Sequence, residues 1–269
     1  MKARALKRKL RYVEMMTRWL RAILEGLAAL FRWLGLVAPQ PAARVELRVP
    51  DDYATVQAAV DAAPARGAVI TVAPGRHACA VLLRRKRLAI EHGGGPGAAT
   101  LHCDENTVLV VEGEQAACAA RGLRFETAIG GCFAVWARMG ARLELDGCEV
   151  SSGQSTGVVV ETAATLEMRD CAVSDCVGFG VFAKNAGTRA RLERCVVRGS
   201  RRRGLFARWG ATAVARGCAF AANAAEAVAF YDCGSGGEVV GCELTPNARG
   251  GVVFGHGARE EDVRCSGNT

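Results

Sequence analysis

Glu144, Asp146 and Glu167 are the acidic residues of this 269-residue chain whose spacing invites chemistry. Glu144 and Asp146 are two apart and so share one face of an extended segment, and Glu167 follows Glu144 at the interval of a repeat. Stacked on neighbouring turns of that repeat, the three could hold a calcium ion through oxygen ligands or act as an acid and base pair. Arg169, Arg191, Glu193 and Arg216 stand at matching positions, so the series Asp146, Arg169, Glu193, Arg216 alternates in sign, and a surface salt-bridge ladder explains the same residues without catalysis. His77 with Cys79, and His102 with Cys103, offer nitrogen and sulfur donors about one repeat apart. The two pairs differ in spacing and face different sides of their strands, so no metal site is expected there, and no cofactor is expected elsewhere. The ligand-binding candidates are Arg201, Arg202, Arg203 and Trp209, with Arg198 and Arg208 near them: guanidinium forks suit an acidic sugar, a phosphate or an acidic peptide. The plainer reading is a solvated basic bend. Trp136 and Tyr231 could stack on sugar rings, or belong to the wall.

The elements that must position these residues show themselves through cysteine. The phrases "LDGCEV", "MRDCAV", "LERCVV", "ARGCAF" and "VVGCEL" recur, with a degraded "DVRCSG" near the end, and place Cys148, Cys171, Cys195, Cys218, Cys242 and Cys265 at steps of 23, 24, 23, 24 and 23 residues. A period of this size means a solenoid in which each unit buries its apolar face only against its neighbours. Leu145, Met168, Leu192, Ala215 and Val239 precede the cysteines by three. Val150, Val173, Val197, Phe220 and Leu244 follow by two, and this alternation means strand. Gly157, Gly180, Gly204, Ala227 and Gly251 come nine residues after each cysteine and open a second strand through a small residue. No unit contains a helical stretch. Short strands wound at this period describe an all-β, right-handed parallel β-helix. The cysteine series then forms an interior column that Leu123 continues one turn earlier, with cysteine as a small apolar filler. Cys176 falls outside that column.

The chain is 50% hydrophobic, 6% aromatic and holds 32 glycines, which suits a thin core with many bends. Of its net charge of +8, +7 resides in residues 1–36, where nine Lys and Arg meet two Glu; the rest, at +1, is close to neutral, so no specific nucleic-acid partner is called for. Residues 1–36 place Leu6, Leu10, Val13, Leu20, Leu24, Leu27, Phe31 and Leu34 at helical steps and form a basic amphipathic helix. Arg21, Glu25 and Arg32 interrupt its apolar stretch, so it does not suit a bilayer span. Packing on a partner or on the solenoid, lying on a membrane surface, and serving as an organelle transit peptide stay open. Residues 37–44 form a linker, and 45–269 the solenoid. The sequence shows no pattern of a cleavable secretory signal, and its many cysteines favour a reducing, intracellular setting.

The opening of the solenoid, "VPDDYATVQAAVDAAPARGAVITVAPGRH", contains a short helix over Val56 to Ala63, capped by Asp52 or Thr55, that would cover the first turn. This stretch resembles the start of right-handed parallel β-helices of the pectin-lyase-like superfamily. "TVQAAVDAAP" is similar to pectin methylesterases, and repeats such as "CAVSDCVGFGVFAKNAGTRARLERC" are similar to the β-helix repeats of an F-box ubiquitin-ligase receptor. The resemblance implies the fold from Val45 onward. The paired aspartates, the glutamine strand and the "GRPW" arginine of pectin methylesterases have no counterpart string here. The reading is therefore a noncatalytic β-helix that binds a protein or carbohydrate ligand, with an enzyme on an acidic polysaccharide as the alternative. Charged residues at the C-terminal end, Glu260, Glu261 and Asp262, make a poor cap, so weak self-association is expected there.

Overall fold

The computed structural model describes residues 45–128 and 130–269. The helix expected over residues 1–36 and the linker 37–44 lie outside the described residues. From Val45 onward each full turn lays one strand in each of three parallel sheets. The ten-stranded sheet takes β1 (Val45–Val49), β2 (Arg66–Val72), β5 (Arg87–His92), β8 (Ala117–Arg121), β11 (Arg142–Asp146), β14 (Thr165–Arg169), β17 (Arg189–Glu193), β20 (Thr212–Arg216), β23 (Gly236–Val240) and β25 (Val263–Ser266). The seven-stranded sheet takes β3 (Gly75–Ala78), β6 (Ala99–Cys103), β9 (Leu123–Thr127), β12 (Glu149–Ser152), β15 (Ala172–Ser174), β18 (Val196–Arg198) and β21 (Ala219–Ala221). The eight-stranded sheet takes β4 (Val81–Arg84), β7 (Leu109–Glu112), β10 (Val135–Arg138), β13 (Val158–Glu161), β16 (Val181–Lys184), β19 (Leu205–Arg208), β22 (Val228–Tyr231) and β24 (Val252–Gly255).

Because the strands pair in register, equivalent residues form columns, and the period of two sends alternate columns inward. Leu145, Met168, Leu192, Ala215 and Val239 are buried in one, and Phe125, Val150, Val173, Val197 and Phe220 in another. Cys148, Cys171, Cys195, Cys218 and Cys242 are buried free thiols at the corner between the ten- and seven-stranded sheets. The Cys148 N–H donates to Cys171 Sγ at 3.4 Å, while the Cys171 thiol donates to the Arg169 carbonyl at 3.1 Å. Hydrogen bonds with neighbouring thiols of the column, then burial, hold Cys171 and Cys218 above the ordinary thiol value.

Two cysteines stand apart from this column. The spacing of Cys265 assigns it to the series, but its register partner is Val239, not Cys242, and it is exposed. The last turn is longer than the turns of the cysteine series, so the period slips. Asn268 fills the column position instead: its Oδ1 accepts the Cys242 N–H at 2.9 Å and its Nδ2 donates to the Val239 carbonyl at 2.9 Å. Cys176 belongs to a separate set, at the bends leading from the seven- to the eight-stranded sheet. Asn223 there accepts from the Ser200 N–H at 3.1 Å and Asn247 from the Asn223 N–H at 3.1 Å. Burial pushes the Cys176 thiol up to about 11.

Helix α1 (Val56–Ala62) covers the first turn as expected, burying Val56, Ala59 and Val60. Thr55, not Asp52, caps it, its hydroxyl accepting the Ala58 N–H at 3.1 Å. Lys86 closes the other end by donating to the carbonyls of Val60, Asp61 and Ala63 at 2.7, 2.7 and 2.8 Å, satisfying acceptors that a helix leaves unpaired.

Candidate functional site

On the outer face of the ten-stranded sheet, Glu144, Glu167 and Arg191 are register partners, as are Asp146, Arg169, Glu193 and Arg216. The ion pairs run along strands as well as between them: Arg169 reaches Glu167 at 2.5 Å and Glu193 at 3.6 Å, and Arg191 reaches Glu193 at 2.5 Å. The hydrogen bond from Arg191 holds the Glu193 carboxyl below its ordinary value. Glu144 and Asp146 have no ion-pair partner among the described residues. His77 occupies the inward column that Leu101 and Phe125 continue, where its Nε2 donates to the Ala73 carbonyl at 2.8 Å. His102 aligns with Ala78 and faces the other way. Among the described residues no group of three or more His, Cys, Asp or Glu is placed to hold a metal ion.

The basic bend divides into two kinds of arginine. Arg203 is enclosed: its guanidinium lies 4.7 Å from the centres of both the Phe206 and Tyr231 rings and donates to the Tyr231 hydroxyl at 3.0 Å. Its Nε is 2.7 Å from Glu226 Oε2. That contact lies off the line of a good hydrogen bond and acts as a charge contact between two largely buried groups. Arg201 and Arg202 are exposed, and Arg202 lies 5.4 Å from the Phe179 ring. Trp209 is 45% exposed, with Arg208 4.2 Å over its ring and paired to Asp232 at 2.7 Å. Its φ of +56° is a property of this corner, since Met139, Asn185, Asp232 and His256 also have positive φ at corners of the same kind.

Sequence reasoning missed the outer face of the eight-stranded sheet. There one column reads Leu82, Val110, Trp136, Val159, Phe182, Phe206 and Ala229, and the next reads Arg84, Glu112, Arg138, Glu161, Lys184, Arg208 and Tyr231. Charges in the second column pair from turn to turn: Arg84 to Glu112 at 3.0 Å, Arg138 to Glu112 at 2.5 Å and Lys184 to Glu161 at 2.5 Å. Burial pushes the Glu112 carboxyl up, but hydrogen bonds from Arg84 and Arg138 outweigh it and leave the group below its ordinary value. Trp136 donates its Nε1–H to Glu161 at 3.1 Å, carries Arg138 4.1 Å above its ring, and meets Phe133 edge-on at 5.5 Å.

A cleft of about 580 Å³ opens on this face. Leu82, Val110, Phe133 and Trp136 give it apolar walls, Asn106 and Thr107 supply neutral polar groups, and Arg84, Arg138 and Lys184 supply charge. Glu112 and Glu161 are not part of the lining. Further along the face, Phe182 stacks on Phe206 at 5.2 Å and 8°, with Phe179 at 5.0 Å from each and Tyr231 edge-on to Phe206 at 5.3 Å. The signal lay in the strands that follow Gly157, Gly180 and Gly204, whose second residues, Val159, Phe182 and Phe206, all take the outward position, although Val159 and Phe206 are buried there.

This architecture defines a right-handed parallel β-helix protein. Residues 111–269 match the family described as right handed beta helix region, and the chain belongs to it. Among solved structures, the pectin methylesterase from carrot aligns with 84% of this chain and 87% of its own at a TM-score of 0.53 and 16% identity. The deglycosylated pectin methylesterase from Aspergillus niger aligns with 86% of this chain and 77% of its own at a TM-score of 0.40 and 14% identity. No curated protein matches the sequence. At 16% identity the likeness to the carrot protein is one of fold.

Proposed function

We propose that this chain is a carbohydrate-directed β-helix that seats an acidic polysaccharide in the cleft lined by Leu82, Val110, Phe133 and Trp136 on the outer side of its eight-stranded sheet. The lining of the cleft carries this reading: an aromatic pair, Phe133 and Trp136, suits the apolar faces of sugar rings, and Arg84, Arg138 and Lys184 suit their carboxylates. Pectin, the polymer in the name of the carrot protein of similar fold, has this chemistry. An enzyme on such a polymer is supported by that likeness, with Glu112 as the carboxylate to test; the two arginines that hold it below its ordinary value make it a weaker base and nucleophile. The noncatalytic reading is supported by the lining itself, where neither Glu112 nor Glu161 reaches the cleft wall.

Calorimetric titration with polygalacturonate, methyl-esterified pectin and a neutral glucan tests the proposal. Trp136→Ala and Arg138→Ala should each weaken polygalacturonate binding by about tenfold, since a stacking or charge-assisted contact contributes about 1–2 kcal/mol. Equal binding of the neutral glucan, or no change in either variant, refutes it. Methanol release or chain cleavage that is lost in Glu112→Gln establishes the enzyme; binding without either establishes the scaffold.

A further inference from the structure

Arg66, Arg87, Arg142 and Arg189 occupy one outward column at the edge of the ten-stranded sheet where its strands begin. All four are exposed, and none has an ion-pair partner among the described residues. Arg48, Arg198 and Arg264 are also exposed and without an ion pair among the described residues, but they stand singly, whereas these four share one column. Arg76, Arg84, Arg121, Arg124, Arg138 and Arg169, on the outer faces of the same three sheets, each reach a carboxylate. The turns between the later members carry small residues: Ala117 lies between Arg87 and Arg142, and Thr165 between Arg142 and Arg189. A shallow pocket of about 230 Å³ opens between Arg87 and Arg142, floored by Ala117 and Ala119, with Glu144 as its one carboxylate.

We propose that this column is a second anion track, separate from the cleft, for a linear polysaccharide that carries its acidic group on alternate sugars. Strands stack about 4.8 Å apart, so arginines two turns apart repeat every ~9.6 Å. An extended polysaccharide advances by roughly one strand spacing per sugar. A polymer with a carboxylate or sulfate on every second sugar thus meets Arg87, Arg142 and Arg189 in step and lays its neutral sugars over Ala117 and Thr165. Duplex nucleic acid is a poor match. Its charges fall every ~1.7 Å along the axis, and they would face Glu144 and Glu167 in the neighbouring column. The proposal rests on the unpaired column and stands whether or not the cleft binds.

Hyaluronate, with one carboxylate per two sugars, is the probe, and interferometry at low salt on the full chain is the readout. The segment 1–36 contributes its charge to every variant alike. Replacing Arg87, Arg142 and Arg189 by Ala should weaken binding roughly tenfold, each exposed contact being worth a factor of about two. Replacing Arg48, Arg249 and Arg264 removes the same charge off the column and should change it by no more than about twofold. Glu144→Gln, which keeps every arginine, should tighten binding, so the proposal is testable even where the triple variant folds poorly. The loss caused by replacing Arg87, Arg142 and Arg189 should be of the same size in a Trp136→Ala background, which separates this track from the cleft. Equal losses in the two triple variants, or no loss in the first, overturn the proposal. A DNA duplex held more tightly than hyaluronate through the same three arginines overturns the assignment to a polysaccharide.

Discussion

Gly180 opens β16 with no unusual backbone angle, and its requirement for glycine comes from close approach. A Cβ built there would lie 2.4 Å from Val197 Cγ1, 2.7 Å from the Gly204 carbonyl oxygen and 3.1 Å from Ser200 Oγ. Val197 is a β-branched residue buried in the inward column, and the Gly204 oxygen accepts the Val181 N–H at 2.8 Å, so neither can move without disturbing the ladder. Overpacking of this kind costs about 1–3 kcal/mol. For a domain of this size each kcal/mol moves the melting temperature by ~2–4 °C, so Gly180→Ala should lower it by roughly 2–12 °C. Gly153 is the control. It sits in the bend one turn earlier, where a Cβ would have the Thr127 carbonyl oxygen as its nearest neighbour, at 3.8 Å. Gly153→Ala should be neutral or stabilise by about 0.4–1 kcal/mol through the unfolded chain. The column is not uniform: at Gly251 the nearest atom is Leu244 Cδ1 at 3.2 Å, and Ala227 is the native residue one turn before it. Thermal and urea melts of the two variants decide. Equal stability of Gly180→Ala and Gly153→Ala refutes the claim that turn-to-turn contact, and not bend geometry, selects glycine. Because Phe179 precedes Gly180 and touches Phe182 and Phe206, the same shift should reach the aromatic row of the outer face.

Thiol labelling of the native protein should modify the exposed Cys233 and Cys265 first and leave Cys148, Cys171, Cys195, Cys218 and Cys242 until denaturant is added; rapid labelling of all would disprove the buried column. The Glu112 carboxyl lies below its ordinary value when folded, so its ion pairs contribute stability that is complete above about pH 4.3 and lost as pH falls through the lower folded value. Acid titrations of stability should therefore be steeper for the wild type than for Glu112→Gln in that range. Superimposable curves would show that Arg84 and Arg138 do not hold the carboxyl.

The fold was legible because a solenoid writes its period into the chain. Val135 pairs with Val158 and Leu205 with Val228, at the same interval that separates Cys148 from Cys171. An alignment anchored on cysteine then fixes both inward and outward positions. It failed where the bends change length: the step from Val81 to its partner Leu109 is longer than the step from Leu109 to Val135, and both exceed the cysteine interval. Arg84, Glu112 and Arg138 therefore did not line up in the sequence, although they are register partners in the structure. The cleft lies among these irregular turns, which is why Trp136 was legible as an aromatic but not as its wall. Cys265 failed in the opposite sense, keeping its spacing from Cys242 while the turn that carries it back to Val239 lengthened.

The two outer faces handle the same constraint differently, and the difference bears on function. Like charges stacked one strand spacing apart repel, so a solenoid wall that carries arginine must separate its members. The eight-stranded face does so with carboxylates over its earlier turns, Glu112 between Arg84 and Arg138, then Glu161 between Arg138 and Lys184; Lys184 and Arg208 stand adjacent, and Asp232 at the corner neutralises Arg208. Charge there is compensated within the wall, and only the arginine and lysine surfaces that line the cleft remain for a ligand. The edge of the ten-stranded sheet separates Arg87, Arg142 and Arg189 with Ala117 and Thr165, and only Arg66 and Arg87 stand adjacent, at a register shift between β2 and β5. Small neutral spacers relieve repulsion without cancelling the charge, so this edge keeps a positive potential with a two-turn repeat. Under the proposal above, this edge keeps its arginines without carboxylates because a repeat of that length suits polyanions whose charges are equally sparse.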